Sequence, residues 1–238
     1  MRYISSCSFG KDSLAQIIVA RETGEPLDEN LYCEVMFTPE ISAELPEHRD
    51  FIHEVAIPKL EHEYGVKTTI IRSEKTLMDC FYRILGPKAQ KAGMLRGFPI
   101  AGRCDVQRDC KIGAIKKHSK TWGDDVIQYL GIAIDEPERL ARLLPNQVSI
   151  LAKYGITEAM ATEICKERGL YSPGYQFTKR NGCFFCPNAK IAELRHIYHN
   201  HHELWEMLLK LQAEPNLAYP YWSRGVSLFD YDRQFSEE

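Results

Sequence analysis

The run Ser8-Phe9-Gly10-Lys11-Asp12-Ser13 sets hydroxyls, a glycine, a cation and a carboxylate next to one another. Those residue types suit phosphate. Backbone N–H groups at a helix start favour anions, Gly10 permits close backbone approach, and Lys11 supplies positive charge. The run is not a Walker loop, because neither GxxxxGKS nor GxxxxGKT occurs. The same residues are also compatible with a plain Ser/Asp-capped helix start.

A second chemistry-bearing group is sulfur. Cys183-Phe184-Phe185-Cys186 is a CxxC between Gly182 and Pro187, and Cys104 and Cys110 flank the polar stretch Asp105 to Asp109. Two pairs of this kind can supply four thiolates to one tetrahedral zinc ion or one iron-sulfur cluster, and spacing does not separate the two. A CxxC is also compatible with a buried thiol pair or a redox dithiol. Cys7, Cys33, Cys80 and Cys165 lie in apolar or helical settings and read as core residues. His196, His199, His201 and His202 sit in a charged helical stretch and read as solvated. Lys111, Lys116, Lys117, Lys179 and Arg180 flank the cysteine segments; a solvated surface is the default, and contact with phosphate or a nucleic-acid backbone is the alternative.

The elements that must position these groups follow from periodicity. Tyr3 to Ser6 reads as a buried strand, Ser8 to Asp12 as a turn, and Ser13 to Arg21 as a helix with Leu14, Ile17 and Ile18 on one face. Leu31 to Phe37 and Val66 to Ile71 read as strands around a charged helix, Pro46 to Tyr64, that Pro58 is expected to kink. Asp124 to Ile134 holds a later central strand ending near Asp135. Beyond it, Glu138 to Leu144, Thr157 to Arg168 and Ala189 to Leu211 have helical spacing, with Pro and Gly in the intervening loops. Alternating strands and helices imply a parallel twisted α/β sheet with helices on both faces, here over residues 1–137, followed by a helical C-terminal region, 138–238, that carries the CxxC.

Composition narrows the class. The chain has 238 residues, 44% hydrophobic and 26% charged, with no apolar run long enough to span a membrane. A net charge of −3 argues against coating nucleic acid by bulk electrostatics, although a local basic patch remains compatible. Met1 to Ser6 shows no basic segment followed by a long apolar stretch, so the expectation is a cytoplasmic protein whose eight cysteines are thiols or metal ligands.

With its place between the first strand and the first helix, Ser8 to Ser13 resembles the SGGKDS or SFGKDS loop of the PP-loop pyrophosphatases and of the phosphoadenosine phosphosulfate reductase branch. The resemblance implies an adenine nucleotide alpha hydrolase-like sheet that binds ATP or another adenine nucleotide with Mg²⁺. Ser8, Phe9, Gly10, Lys11, Asp12 and Ser13 would form the phosphate site, with Lys11 and Asp12 catalytic. Gly131-Ile132-Ala133-Ile134-Asp135-Glu136-Pro137-Glu138-Arg139 is similar to the strand-end segment that closes over the nucleotide in that branch, which would add Gly131, Asp135, Glu136 and Arg139. The analogy also favours a 4Fe-4S cluster over Zn²⁺ on Cys104, Cys110, Cys183 and Cys186. In the reductases the first ligands are an adjacent Cys-Cys pair, whereas Cys104 and Cys110 are separated here.

Three reactions fit. In the first, ATP adenylates a substrate oxygen, pyrophosphate leaves, and a sulfur nucleophile displaces AMP; the acceptor could be a nucleic acid, and a separate sulfur donor is a further expected partner. In the second, a sulfonucleotide is reduced with release of sulfite. That branch carries its nucleophilic cysteine in a C-terminal motif, and no cysteine follows Cys186 here. In the third, the protein binds a nucleotide without turning it over and uses its metal structurally in a larger assembly.

Overall fold

The computed structural model describes residues 1–100, 102, 104–123, 125–223 and 225–238. Five strands form one sheet: β1 (Arg2–Ser6), β2 (Glu29–Glu34), β3 (Thr68–Arg72), β4 (Val126–Leu130) and β5 (Gln147–Val148), in the order β3-β2-β1-β4-β5. β1 pairs in parallel with β2 and β4, and β4 with β5. The sheet therefore grows outward from β1 through β2 and β3, then returns to the other side of β1 for β4. In parallel α/β sheets the crevice at such a reversal is where ligands bind, beyond the carboxyl ends of the strands.

The chain divides into two compact units, each made of three segments: 1–34, 46–71 and 114–175 in the first, and 35–45, 72–113 and 176–238 in the second. The sequence-based boundary at 137/138 falls inside the first unit. That unit holds the sheet with α1 (Lys11–Glu22), α2 (Pro46–Asp50), a π-helical turn (Phe51–Ala56), α3 (Ile57–Tyr64), α6 (Pro137–Leu140), α7 (Ile150–Lys153) and α8 (Glu158–Glu167). The second holds α4 (Leu77–Phe81), a π-helical turn (Gln107–Ile112), α9 (Ile191–Asn200), α10 (His202–Gln212) and α11 (Leu228–Ser236). Between them in sequence, α5 (Gly113–Ser119) belongs to the first unit from Ala114 onward.

Strand alternation shows that both faces of the sheet are covered. On one face Tyr3, Tyr32, Ile127 and Tyr129 pack with residues of α1, α3, α7 and α8; on the other, Ile4, Leu31 and Val126 pack with Ile115 of α5 and Trp122. This is the expected α/β arrangement. α1 lies against α7 and α8, and every residue from Ser13 to Ala20 is buried, so Leu14, Ile17 and Ile18 are part of a helix enclosed all round. The second unit has its own aromatic-rich core, including Phe37, Phe81, Phe98, Trp205, Trp222 and Phe235.

Several elements differ from the sequence reading for local reasons. Pro58 has no N–H to give to the helical ladder, and the predicted Pro46–Tyr64 helix widens into π geometry over Phe51–Ala56 before resuming as α3. The predicted Ala189–Leu211 helix breaks at His201 (φ −134°, ψ 55°), where the Asn200 amide turns back to the His196 carbonyl at 3.0 Å. β2 ends at Glu34; Val35 to Phe37 instead enter the second unit, where Met36 bridges Ser42 and Phe37 N–H donates to the Ile41 carbonyl at 2.8 Å. The later strand spans Val126–Leu130; the expected start, Asp124, lies outside the described residues.

Candidate functional site

β1 ends at Ser6 and β4 at Leu130, and these two residues are register partners. The chain therefore leaves the sheet at Cys7 and at Gly131 side by side, at the reversal of strand order. After β1 the backbone turns sharply. Phe9 takes a left-handed conformation (φ 57°) and is fully buried, its ring edge-on to Tyr32 at 5.1 Å. A buried aromatic in that conformation is strained, and the packing of its ring holds it there. Gly10 caps α1 without a side-chain acceptor. Ser13 closes the loop: its hydroxyl donates to the Gly10 carbonyl at 2.9 Å and accepts from the Ser8 N–H at 3.3 Å.

Lys11 and Asp12 open α1. The Lys11 ammonium lies 2.7 Å from the Asp12 carboxylate and 3.6 Å from Glu158. Burial works against its charge, but the hydrogen bond and charge of Asp12, with Glu158, outweigh that penalty and raise its pKa above the usual lysine value. Lys11 thus stays cationic although its side chain is only 18% exposed. A fixed cation, a helix N-terminus and a tight loop are groups that can hold an anion.

From the β4 side, Gly131 touches the same place. A Cβ on Gly131 would stand 2.7 Å from both Cα and N of Ser13, so only glycine lets the β4 end approach the first turn of α1. The other expected nucleotide contacts have local partners. Asp135 accepts from the N–H of Glu158 at 3.1 Å, at the start of α8. Arg139 is paired with Glu136 at 2.6 Å, and Glu136 also accepts from the Ala133 N–H.

One residue at this site escaped the sequence. The Tyr175 hydroxyl accepts from the Lys11 N–H at 2.9 Å, and its ring stacks on Tyr171 at 4.7 Å. Burial first, and the charge of Asp12 in addition, push its phenol up to about 12, so it stays a neutral hydroxyl. Nothing in local spacing links it to a loop 164 residues away.

The cysteines fall within the second unit. The CxxC is pinned from behind: Phe184 and Phe185 are buried against Phe37, the Phe184 N–H donates to the Ala43 carbonyl at 2.9 Å, and Cys183 bridges Glu44. Cys104 is set by its neighbour Asp105, which is buried between Arg83 at 2.8 Å and Arg96 at 3.1 Å. Burial, then Glu44, Cys186 and Cys104, push the Cys183 thiol well up, with Lys111 opposing; burial chiefly raises Cys104, and Cys186 adds to it. Arg180 donates to the Cys186 sulfur at 3.3 Å. Cys110 is placed differently. It is fully buried with its sulfur 3.7 Å from Cys80, a residue the sequence assigned to the core; their hydrogen bond lowers Cys80 and raises Cys110.

Among the described residues no three cysteine sulfurs lie mutually within 4.8 Å. A zinc tetrahedron built on Zn–S bonds of about 2.3 Å would bring them to about 3.8 Å.

The five-stranded parallel sheet covered by helices, with a tight loop and a helix start at its order reversal, is the α/β architecture expected from the sequence. No protein-family model and no curated protein sequence matches the chain. Among solved structures the chain is similar to the U34-tRNA thiolase NcsA from Methanococcus maripaludis with its 4Fe-4S cluster, at 16% identity and a TM-score of 0.43, over 100% of this chain and 71% of that one. Among the described residues no helix is long and apolar enough to cross a membrane.

Proposed function

We propose that the protein binds ATP with Mg²⁺ at the loop after β1, transfers AMP to a substrate oxygen with release of pyrophosphate, and prepares that substrate for attack by a sulfur nucleophile. The observation carrying this reading is the meeting of Lys11, the α1 N-terminus and Gly131 at the strand-order reversal. A substrate oxygen attacks the α-phosphorus as the bond to pyrophosphate breaks. Lys11 neutralises charge growing on the leaving group, Asp12 keeps that ammonium aimed, and the loop N–H groups hold the product. Mg²⁺ would ride on the phosphates, with Asp12 the carboxylate at hand in the loop. Ser8 to Ser13 and Gly131 form the phosphate side; Asp135, Glu136 and Arg139 shape the strand-end segment beside it.

Cys104, Cys183 and Cys186 would hold a 4Fe-4S cluster, which supplies, when bound, an iron site for sulfur. Cys110 is expected to contribute less, because it is occupied with Cys80. The test is product analysis on anaerobically prepared protein. Pyrophosphate from ATP supports the reading. Sulfite from phosphoadenosine phosphosulfate with a thiol reductant would replace it with a reductase, and tight ATP binding with neither product would make the protein a non-catalytic nucleotide binder.

A further inference from the structure

The second unit contains a cleft of about 1020 Å³ that the nucleotide loop does not use. Its lining combines aromatic faces with cations: Tyr219, Tyr221 and Trp222 with Lys91, Arg180 and Lys190, and no carboxylate among the described lining residues. In a chain of net charge −3, that local balance is selective. Tyr221 is 56% exposed and Tyr219 40%, so part of each ring is open to solvent at the cleft. Tyr219 is steadied by the Lys91 ammonium 4.4 Å from its ring centre and by the Arg96 guanidinium at 5.7 Å. Trp222 is buried edge-on to Phe98 at 4.8 Å, and its indole Nε1 has no acceptor among the described residues. Arg180 belongs both to the cleft and to the cysteine group, through its bond to Cys186.

We infer that this cleft binds single-stranded nucleic acid, with bases stacking on Tyr221 and phosphates meeting Lys190 and Arg180. Exposed rings interleaved with cations are what an unpaired strand needs, since every base has a face to stack and every linkage a charge to neutralise. An acidic peptide would use the cations but leave the rings idle. A duplex hides its base faces and cannot use them either. The assignment names the acceptor class for the reaction proposed above, and it rests on that reading only for what happens to the base once bound.

The experiment is fluorescence anisotropy of the full chain, without ATP, against labelled single-stranded DNA and RNA oligonucleotides, the matching duplex and a polyglutamate peptide. Either single strand should bind more tightly than duplex or peptide, and the tighter of the two identifies the sugar. Tyr221→Ala should weaken binding at least about tenfold and Tyr221→Phe should restore it. Lys190→Ala should flatten the salt dependence. Circular dichroism of each variant checks that it is folded. Equal binding of the polyglutamate peptide, no binding of single strands, or an affinity indifferent to Tyr221→Ala would overturn the assignment. The binding assay contains no ATP, so failure to release pyrophosphate in the separate product analysis would refute the adenylation reading while leaving this one standing, and failure of binding here would leave the adenylation reading standing.

Discussion

Gly131 and Ser13 stand closer than any side chain permits, and that contact is where the end of β4 meets the loop after β1. Gly131→Ala must push a methyl into the backbone of α1 at 2.7 Å. The expected cost is about 1–3 kcal/mol, read as a lower melting temperature, together with weaker ATP binding. A variant that melts and binds as the wild type does would mean that the loop yields freely. At the cysteines, Cys104→Ser, Cys183→Ser and Cys186→Ser should each lower the iron content of anaerobically reconstituted protein, whereas Cys110→Ser should retain most of it. Equal loss at all four positions would restore the four-ligand set that spacing suggested. The residue scale was legible where a motif is contiguous. The turn at Ser8 to Ser13 and the helix start after it could be read because their residues act as neighbours in sequence. Tyr175 and the Cys80–Cys110 pairing could not, because long-range packing brings them together.

At the scale of elements, caps and breakers decide more than propensity. Thr157 caps α8 through the Met160 N–H, and both ends of that helix match the sequence reading. In α4 the cap is reciprocal: Thr76 and Asp79 form a capping box, and hydrogen bonds from the Thr76 backbone and side chain hold the Asp79 carboxyl below its ordinary value. A depressed carboxylate adds stability that is present above the unfolded-state pKa and is lost as pH falls through the folded one. Asp79→Asn should therefore lower the melting temperature near neutrality and shrink the difference from wild type as the solution becomes acid; a difference independent of pH would show that the charge plays no part. The single long helix expected over Ala189 to Leu211 shows the limit of periodicity. Apolar residues keep helical spacing on both sides of His201, and only the Asn200 side chain competing for backbone marks the break. β5 is two residues long and carries no alternation from which a strand could be read.

For the whole molecule, alternation of strand and helix was enough to foresee a parallel sheet covered on both faces. It was not enough to foresee that residues 35–45 and 72–113 leave the sheet unit to join the C-terminal segment around a separate aromatic core. Chain continuity suggests one boundary, while burial of Phe37, Phe81 and Phe98 with Trp222 follows none. The central claim is that the sheet unit carries a site for cleavage between the α- and β-phosphates of ATP, centred on Lys11. The most direct measurement is chromatography of the products formed from ATP labelled at the α-phosphate, with Mg²⁺, by wild type and Lys11→Ala. AMP or an AMP adduct with matching pyrophosphate is predicted for the wild type, with the rate falling by about 10²–10³ in the variant while its melting temperature stays close. ADP with inorganic phosphate, or a rate unchanged by Lys11→Ala, would contradict it.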